Sequence, residues 1–216
     1  MSASAASCIY PIIGHHEYGW SFIGSEINPT ALDAAKRILR ANRALAQAVT
    51  LRRQSSPMQV FQDVVLPGEV FDLSICNPPF HASLAEAQGS SQRKWRNLGK
   101  EAMARKAAGR TPVLNFGGQG AELWCAGGEV AFIGRMVEES ARIQSRCLWF
   151  TSMVSKEAHL PAVIAGLKQA KVRERRIIDM AQGQKRSRIV AWTFLDEAKR
   201  KEWRATRWEP TARPGG

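Results

Sequence analysis

Residues 71 to 84 read FDLSICNPPFHASL, and the chemistry begins where the apolar alternation stops, at Asn77-Pro78-Pro79-Phe80. Two successive prolines remove two backbone donors and hold φ at about −65°. The Asn77 side-chain oxygen and the Pro78 carbonyl are both acceptors, and rigid proline geometry keeps them convergent. An exocyclic –NH₂ has two hydrogens to offer them. Accepting both turns the nitrogen lone pair away from its ring and toward an electrophile, with little reorganisation during reaction. Phe80 adds a ring face on which a base can stack, worth ~1–3 kcal/mol. The turn therefore suits alkylation of a conjugated amine. Its plainer reading is a Pro-Pro loop that closes a strand with Phe80 in the core.

A second candidate is Glu26, which ends the strand-like run WSFIGSE (20 to 26). A carboxylate at a strand end can take two hydroxyl donors, as in ribose recognition. Its alternative is a solvated acid ahead of a helix. A third group is basic. Residues 89 to 112 carry seven Lys or Arg against one Glu, with Trp95 among them, and a connection this long is usually functional or disordered. Arg93, Lys94 and Arg96 in this run, and Lys185, Arg186 and Arg188 near a later turn, are candidates for phosphate contacts or simply solvated charge.

These residues need a scaffold, and the chain alternates strand and helix signals. Asn28 reads as an N-cap and Pro29 as the first residue of a helix with Leu32, Ala35, Ile38 and Leu39 on one face. Strands are expected at 48–54, 70–76, 146–155, 175–181 and 187–196, with helices over 128–144 and 160–171. Apolar strands alternating with helices predict an α/β, mostly parallel, doubly wound sheet, and the polar turn QGQKR adds an antiparallel hairpin at its end. Ligands of such sheets lie beyond the carboxyl ends of the strands, where Glu26 and Asn77 fall. Residues 1–196 are read as one domain carrying the basic insertion 89–112, and 197–216 as a basic flexible tail.

Composition narrows the partners. The 216 residues hold 31 Lys plus Arg against 19 Asp plus Glu, a net charge of +12, which points to a polyanion such as nucleic acid. Cys8, Cys76, Cys125 and Cys147 are far apart with no metal-ligand spacing, so they read as reduced thiols of a cytoplasmic protein, with no metal site and no disulfide framework. No apolar run is long enough to span a membrane.

The Asn-Pro-Pro-Phe turn is similar to motif IV of class I S-adenosylmethionine-dependent amino-methyltransferases. With CIYPIIG (8 to 14), EYGW (17 to 20), GSE (24 to 26), CNPPFH (76 to 81), LNFGGQ (114 to 119), ELWCAGGE (122 to 129), WFTSMVS (149 to 155) and MAQGQKRSRIVAWTF (180 to 194), the chain resembles the bacterial 23S ribosomal RNA adenine-N6 methyltransferase family from about residue 7 to residue 195. The resemblance implies a Rossmann-like fold, S-adenosylmethionine as methyl donor, no metal, and transfer to N6 of an adenine in 23S rRNA or a ribosome-assembly intermediate, by a monomer. Asn77, Pro78, Pro79 and Phe80 would form the amine and base site. Glu26, with Ser25, Ile27 and Asn77, would bind the donor, while Arg93, Lys94, Arg96, Lys185, Arg186 and Arg188 would contact RNA.

The family's core opens with an apolar strand and a glycine loop, whereas this chain opens MSASAASCIYP. The expectation is a sheet without its first strand and a donor site without that loop. Two other functions stay open: a protein glutamine N5-methyltransferase using the same amine chemistry, and a catalytically impaired RNA-binding remnant.

Overall fold

The computed structural model describes residues 8–79, 125–182 and 185–208. In chain order they form α1 (Ile9–Tyr18), β1 (Phe22–Glu26), α2 (Pro29–Ala41), α3 (Arg43–Ala48), β2 (Val49–Arg53), β3 (Phe71–Cys76), α4 (Gly128–Arg142), β4 (Cys147–Val154), α5 (Leu160–Gln169), β5 (Glu174–Gln182), β6 (Lys185–Thr193) and α6 (Glu197–Arg207). A 3₁₀ turn, Glu157–His159, leads into α5. The expected strands and helices fall on these elements to within a few residues.

β1 and β2 pair in parallel, and β3-β4-β6-β5 form a second sheet in which β3 and β4 are parallel and the β5–β6 hairpin is antiparallel. This is the expected α/β, Rossmann-like arrangement with its C-terminal hairpin. Among the described residues no backbone ladder joins the two sheets. They meet through side chains. Ile75 of β3 packs on the cluster of Cys8, Phe22, Ala35, Leu39, Leu45, Ala48 and Val49. Arg52 of β2 pairs with Glu69, just ahead of β3, at 2.5 Å, and also donates to the Val64 carbonyl.

Local sequence explains the strand exits. Asn28 caps α2 by accepting from Thr30 N–H at 2.9 Å and Ala31 N–H at 3.4 Å, with Pro29 in the first turn. The cap turns the chain away immediately after Glu26. α1 lies close on β1 because Gly14 has no side chain; a Cβ there would sit 2.4 Å from the Phe22 ring.

The larger core lies between β4, β6, α4 and α5. Phe150, Trp192, Ile133, Met136 and Leu167 are fully buried there, and the Phe150 and Trp192 rings stack with centroids 5.8 Å apart. Glu139 of α4 is buried against the loop before β3. Its carboxylate accepts the N–H groups of Val60 (3.0 Å), Phe61 (2.7 Å) and Gln62 (3.0 Å), an internal anion held by three successive amides.

The tail expectation requires correction over residues 197–207. They form α6, capped by Asp196, whose side chain accepts from Lys199 N–H at 2.9 Å. The helix is fastened to the sheet by long-range contacts that composition does not announce. Residues 209–216 lie outside the described residues.

Candidate active site at the strand ends

β1 delivers Glu26 to its carboxyl end because Phe22, Gly24 and Glu26 alternate on the buried side of the strand. The side chain is only 4% exposed. Oε1 accepts from Ile27 N–H (2.8 Å) and Asn28 N–H (2.9 Å), so the turn into α2 fixes the carboxylate in place. Oε2 is buried and has no hydrogen-bond partner among the described residues. Ser25 is half-buried on the alternate side of β1, and Ile27 contributes its backbone N–H to the glutamate.

β3 delivers Asn77 in the same way. Cys76 is buried opposite Ser152, and the chain leaves the sheet through Asn77, Pro78 and Pro79, with both prolines buried. Neither proline can donate, and Asn77 Oδ1 is buried without a partner among the described residues. Orphaned buried acceptors are rare in folded proteins. Here two of them sit at the ends of the two strands that sequence alone assigned to amine and ribose recognition. Burial pushes the neighbouring Cys76 thiol up to about 12, so it stays protonated and takes no part as a nucleophile at neutral pH. Phe80, Arg93, Lys94 and Arg96 lie outside the described residues.

β4 supplies a third strand end, which sequence reasoning missed. Glu129 enters at the first turn of α4, its side chain fully buried, with Oε1 accepting from Ser155 N–H (2.8 Å) and Oε2 hydrogen-bonded to His159 Nδ1 (2.5 Å). Gly127 and Gly128 precede it with φ of 79° and 65°, and a Cβ on Gly127 would meet the Ala131 Cβ at 2.5 Å. The Gly-Gly-Glu run therefore bends the chain so that the carboxylate points inward. Glu129 thus holds the backbone at Ser155, one residue past the end of β4, the strand that pairs with β3. The only signal in the sequence was the glycine pair before an acid.

The hairpin adds basic residues at the same end. Val154 pairs with Arg188, so Lys185, three residues nearer the tip, extends about 10 Å beyond that level. Lys185 and Arg186 are thereby placed past the strand ends. Arg188 is not available in the same sense. Its guanidinium is engaged by Glu157 at 2.8 Å and Asp179 at 3.1 Å and is nearly buried, so its charge is already paired within the fold. Among the described residues no group of acidic, His or Cys side chains is arranged to hold a metal ion.

Residues 3–196 match the RNA methyltransferase family. The chain is 52% identical over 205 residues to ribosomal RNA large subunit methyltransferase F of Pseudomonas aeruginosa, covering 95% of this chain and 60% of that protein. The chain thus spans about 60% of the length of that curated relative. The crystal structure of the hMettl16 catalytic domain in complex with MAT2A 3′UTR hairpin 1 superposes with a TM-score of 0.72 at 27% identity, covering 90% of this chain and 63% of that one. The N-terminal domain of human METTL16 in complex with SAH shares the fold, with a TM-score of 0.63 at 22% identity over 90% of this chain and 60% of that one.

Proposed function

The chain belongs to the RNA methyltransferase family, and from that premise we propose that it transfers a methyl group from S-adenosylmethionine to the N6 amine of an adenine in 23S ribosomal RNA. The observation that carries this reading is the buried, unpartnered Oδ1 of Asn77 beside two prolines. Asn77 Oδ1 and the Pro78 carbonyl accept the two amine hydrogens and hold the nitrogen lone pair toward the incoming methyl carbon. The donor supplies that carbon as an electrophile on a sulfonium. The N–C bond forms as the C–S bond breaks, the sulfur keeps the electron pair, and the alkylated nitrogen releases a proton to water. Pro78 and Pro79 keep the acceptors fixed, and Phe80 stacks on the base.

Glu26 holds the donor's ribose through Oε2, the oxygen left free by its turn, with Ser25 and Ile27 shaping the strand end. Support also comes from the name of the 52% identical relative, a ribosomal RNA large subunit methyltransferase. The surplus of positive charge, with Lys185, Arg186, Arg93, Lys94 and Arg96 in basic runs, suits an rRNA acceptor, free or in a ribosome-assembly intermediate. We place a monomeric enzyme in the cytoplasm, together with its rRNA acceptor.

The test is radiolabelled methyl transfer to unmethylated 23S rRNA beside a protein acceptor carrying exposed glutamines. Incorporation into rRNA N6-methyladenine alone is expected. Label in glutamine would move the chain to the protein-modifying class, and donor binding without transfer to either would make it an RNA-binding remnant.

A further inference from the structure

At the amino end of β3, one carboxylate receives an unusual set of donors. Asp72 Oδ1 accepts from Trp203 Nε1 at 2.7 Å, Trp208 Nε1 at 3.0 Å and Arg207 Nε at 3.2 Å, and Arg207 Nη2 reaches Oδ2 at 3.3 Å. Two indoles and a guanidinium from the end of α6 thus converge on one residue more than 130 positions upstream. The inward stripe of α6 is Arg200, Trp203 and Arg207, spaced i, i+3, i+7, and each is matched. Arg200 donates to the Leu195 carbonyl at 2.8 Å and pairs with Glu174 at 2.5 Å, over the ring of Trp149. Arg207 lies over Trp203, 5.3 Å from its centroid.

The adjoining stripe of Lys201, Arg204 and Trp208 has the same spacing, and its two cations lack this matching. Lys201 and Arg204 are exposed and form no salt bridge with another described residue, and Trp208, at the end of the row, is 52% exposed. Its N–H is fixed by Asp72, so the ring cannot turn away, yet much of its surface faces water. A large apolar ring held out rigidly beside two free cations is the combination that takes up single-stranded nucleic acid, with the base on the ring and phosphates on the cations. Asp72 and Asn77 are five strand residues apart, about 17 Å along β3. The stripe is therefore separate from the strand-end site.

We propose that Lys201, Arg204 and Trp208 form a second RNA-binding surface, which takes an unpaired stretch of RNA away from the methylated adenine, stacks one base on Trp208 and neutralises two phosphates. This rests on the RNA methyltransferase reading, but its readout is binding. Loss of transfer with normal binding in Asn77→Ala tests that reading; loss of binding with Asn77 intact tests this surface.

The experiment measures the affinity of the full chain for a labelled single-stranded RNA of mixed sequence and for its duplex, across a salt series. Trp208→Ala should weaken single-stranded binding about tenfold and duplex binding little, in line with base–aromatic stacking. Trp208→Phe also lacks the N–H to Asp72 but keeps a stacking face, and should stay within about threefold of wild type. If Phe loses as much as Ala, the effect is unfastening of the helix and the proposal falls. Lys201→Ala/Arg204→Ala should flatten the log K against log salt line by about 1.4 units, two phosphates at about 0.7 each. Unchanged affinity in Trp208→Ala overturns the proposal. So does unchanged RNA binding with weakened binding only to protein components of the large subunit, which would give the stripe to a protein partner.

Discussion

The two ends of β3 handle polar groups in opposite ways. At its carboxyl end Asn77 Oδ1 is sealed from water without a donor, and Glu26 Oε2 stands in the same condition at the end of β1. At its amino end Asp72 draws donors from three side chains. A buried acceptor left unmatched costs about 1–3 kcal/mol, so a fold tolerates it where a ligand will complete it. The amino end spends its polar groups on holding the structure together. The carboxyl end keeps capacity in reserve.

Substitutions can break that contrast, and the largest effect is expected at the reserve end. Asn77→Ala removes one amine acceptor and should lower methyl transfer by roughly 10²–10³, the scale of deleting one preorganised polar group, while RNA affinity is retained. A wild-type rate with alanine at 77 would remove the turn from the mechanism. Because Asn77 Oδ1 has no partner in the fold, the same change should leave thermal stability close to wild type.

Glu26→Gln should act one step earlier. It keeps the shape but removes the charge and can present a donor where Oε2 now accepts. Donor affinity, read by calorimetry, should fall about 10–100-fold, the range for a hydrogen bond to a charged group. An unchanged affinity would assign ribose recognition elsewhere.

At the amino end the expected change is in stability. Burial pushes the Asp72 carboxyl up, but the hydrogen bonds from Arg207, Trp203 and Trp208, together with the Arg207 charge, reverse this and leave it below its ordinary 3.8. A depressed folded-state value means the stabilisation is complete above the unfolded value and is lost as pH falls through the folded one. Wild type should therefore lose this contribution only below about pH 4. Asp72→Ala should cost about 1 kcal/mol at neutral pH, discounted because the group is partly exposed, and its denaturation midpoint should be flatter in that acid range. Equal acid sensitivity in mutant and wild type would show that the carboxylate contributes nothing.

The smallest effect is expected at Arg188. With Glu157 and Asp179 already on its guanidinium, Arg188→Ala should leave the salt dependence of RNA binding unchanged, while Lys185→Ala/Arg186→Ala flattens it by up to about 1.4 units. A matching loss in Arg188→Ala would mean that RNA displaces those carboxylates.

How much of this was legible in the sequence follows from the range of each interaction. The proline turn and Asn28-Pro29 are local: the residues that define them are adjacent, and β1, α2 and β3 fall where their spacing places them. The helix α6 is different. Residues 197–207 read as solvated charge because five of eleven positions are Lys or Arg, and what folds them onto the sheet is an aspartate far upstream. The spacing of Arg200, Trp203 and Arg207 was the available clue. Glu129 and His159 are 30 residues apart, and Glu139 reaches a loop 77 to 79 residues away; neither pairing leaves a trace in local periodicity. The partners of Arg188 are equally invisible to local pattern, since they come from another turn and another strand.

The two sheets carry a mechanical consequence. Glu26 stands on one and Asn77 on the other, and no backbone ladder among the described residues ties β1 to β3. Among the described residues, side chains join the two: Ile75 packs on its apolar cluster, Arg52 bonds Glu69 and the Val64 carbonyl, and Gln54 donates to the Gln62 carbonyl. Separate ladders open as separate cooperative units. In hydrogen exchange, the amides of β1 and β2 should protect with one free energy and those of β3, β4, β5 and β6 with another. A ligand that touches both Glu26 and Asn77 would then act as a crossbar, and the two values should converge when it binds.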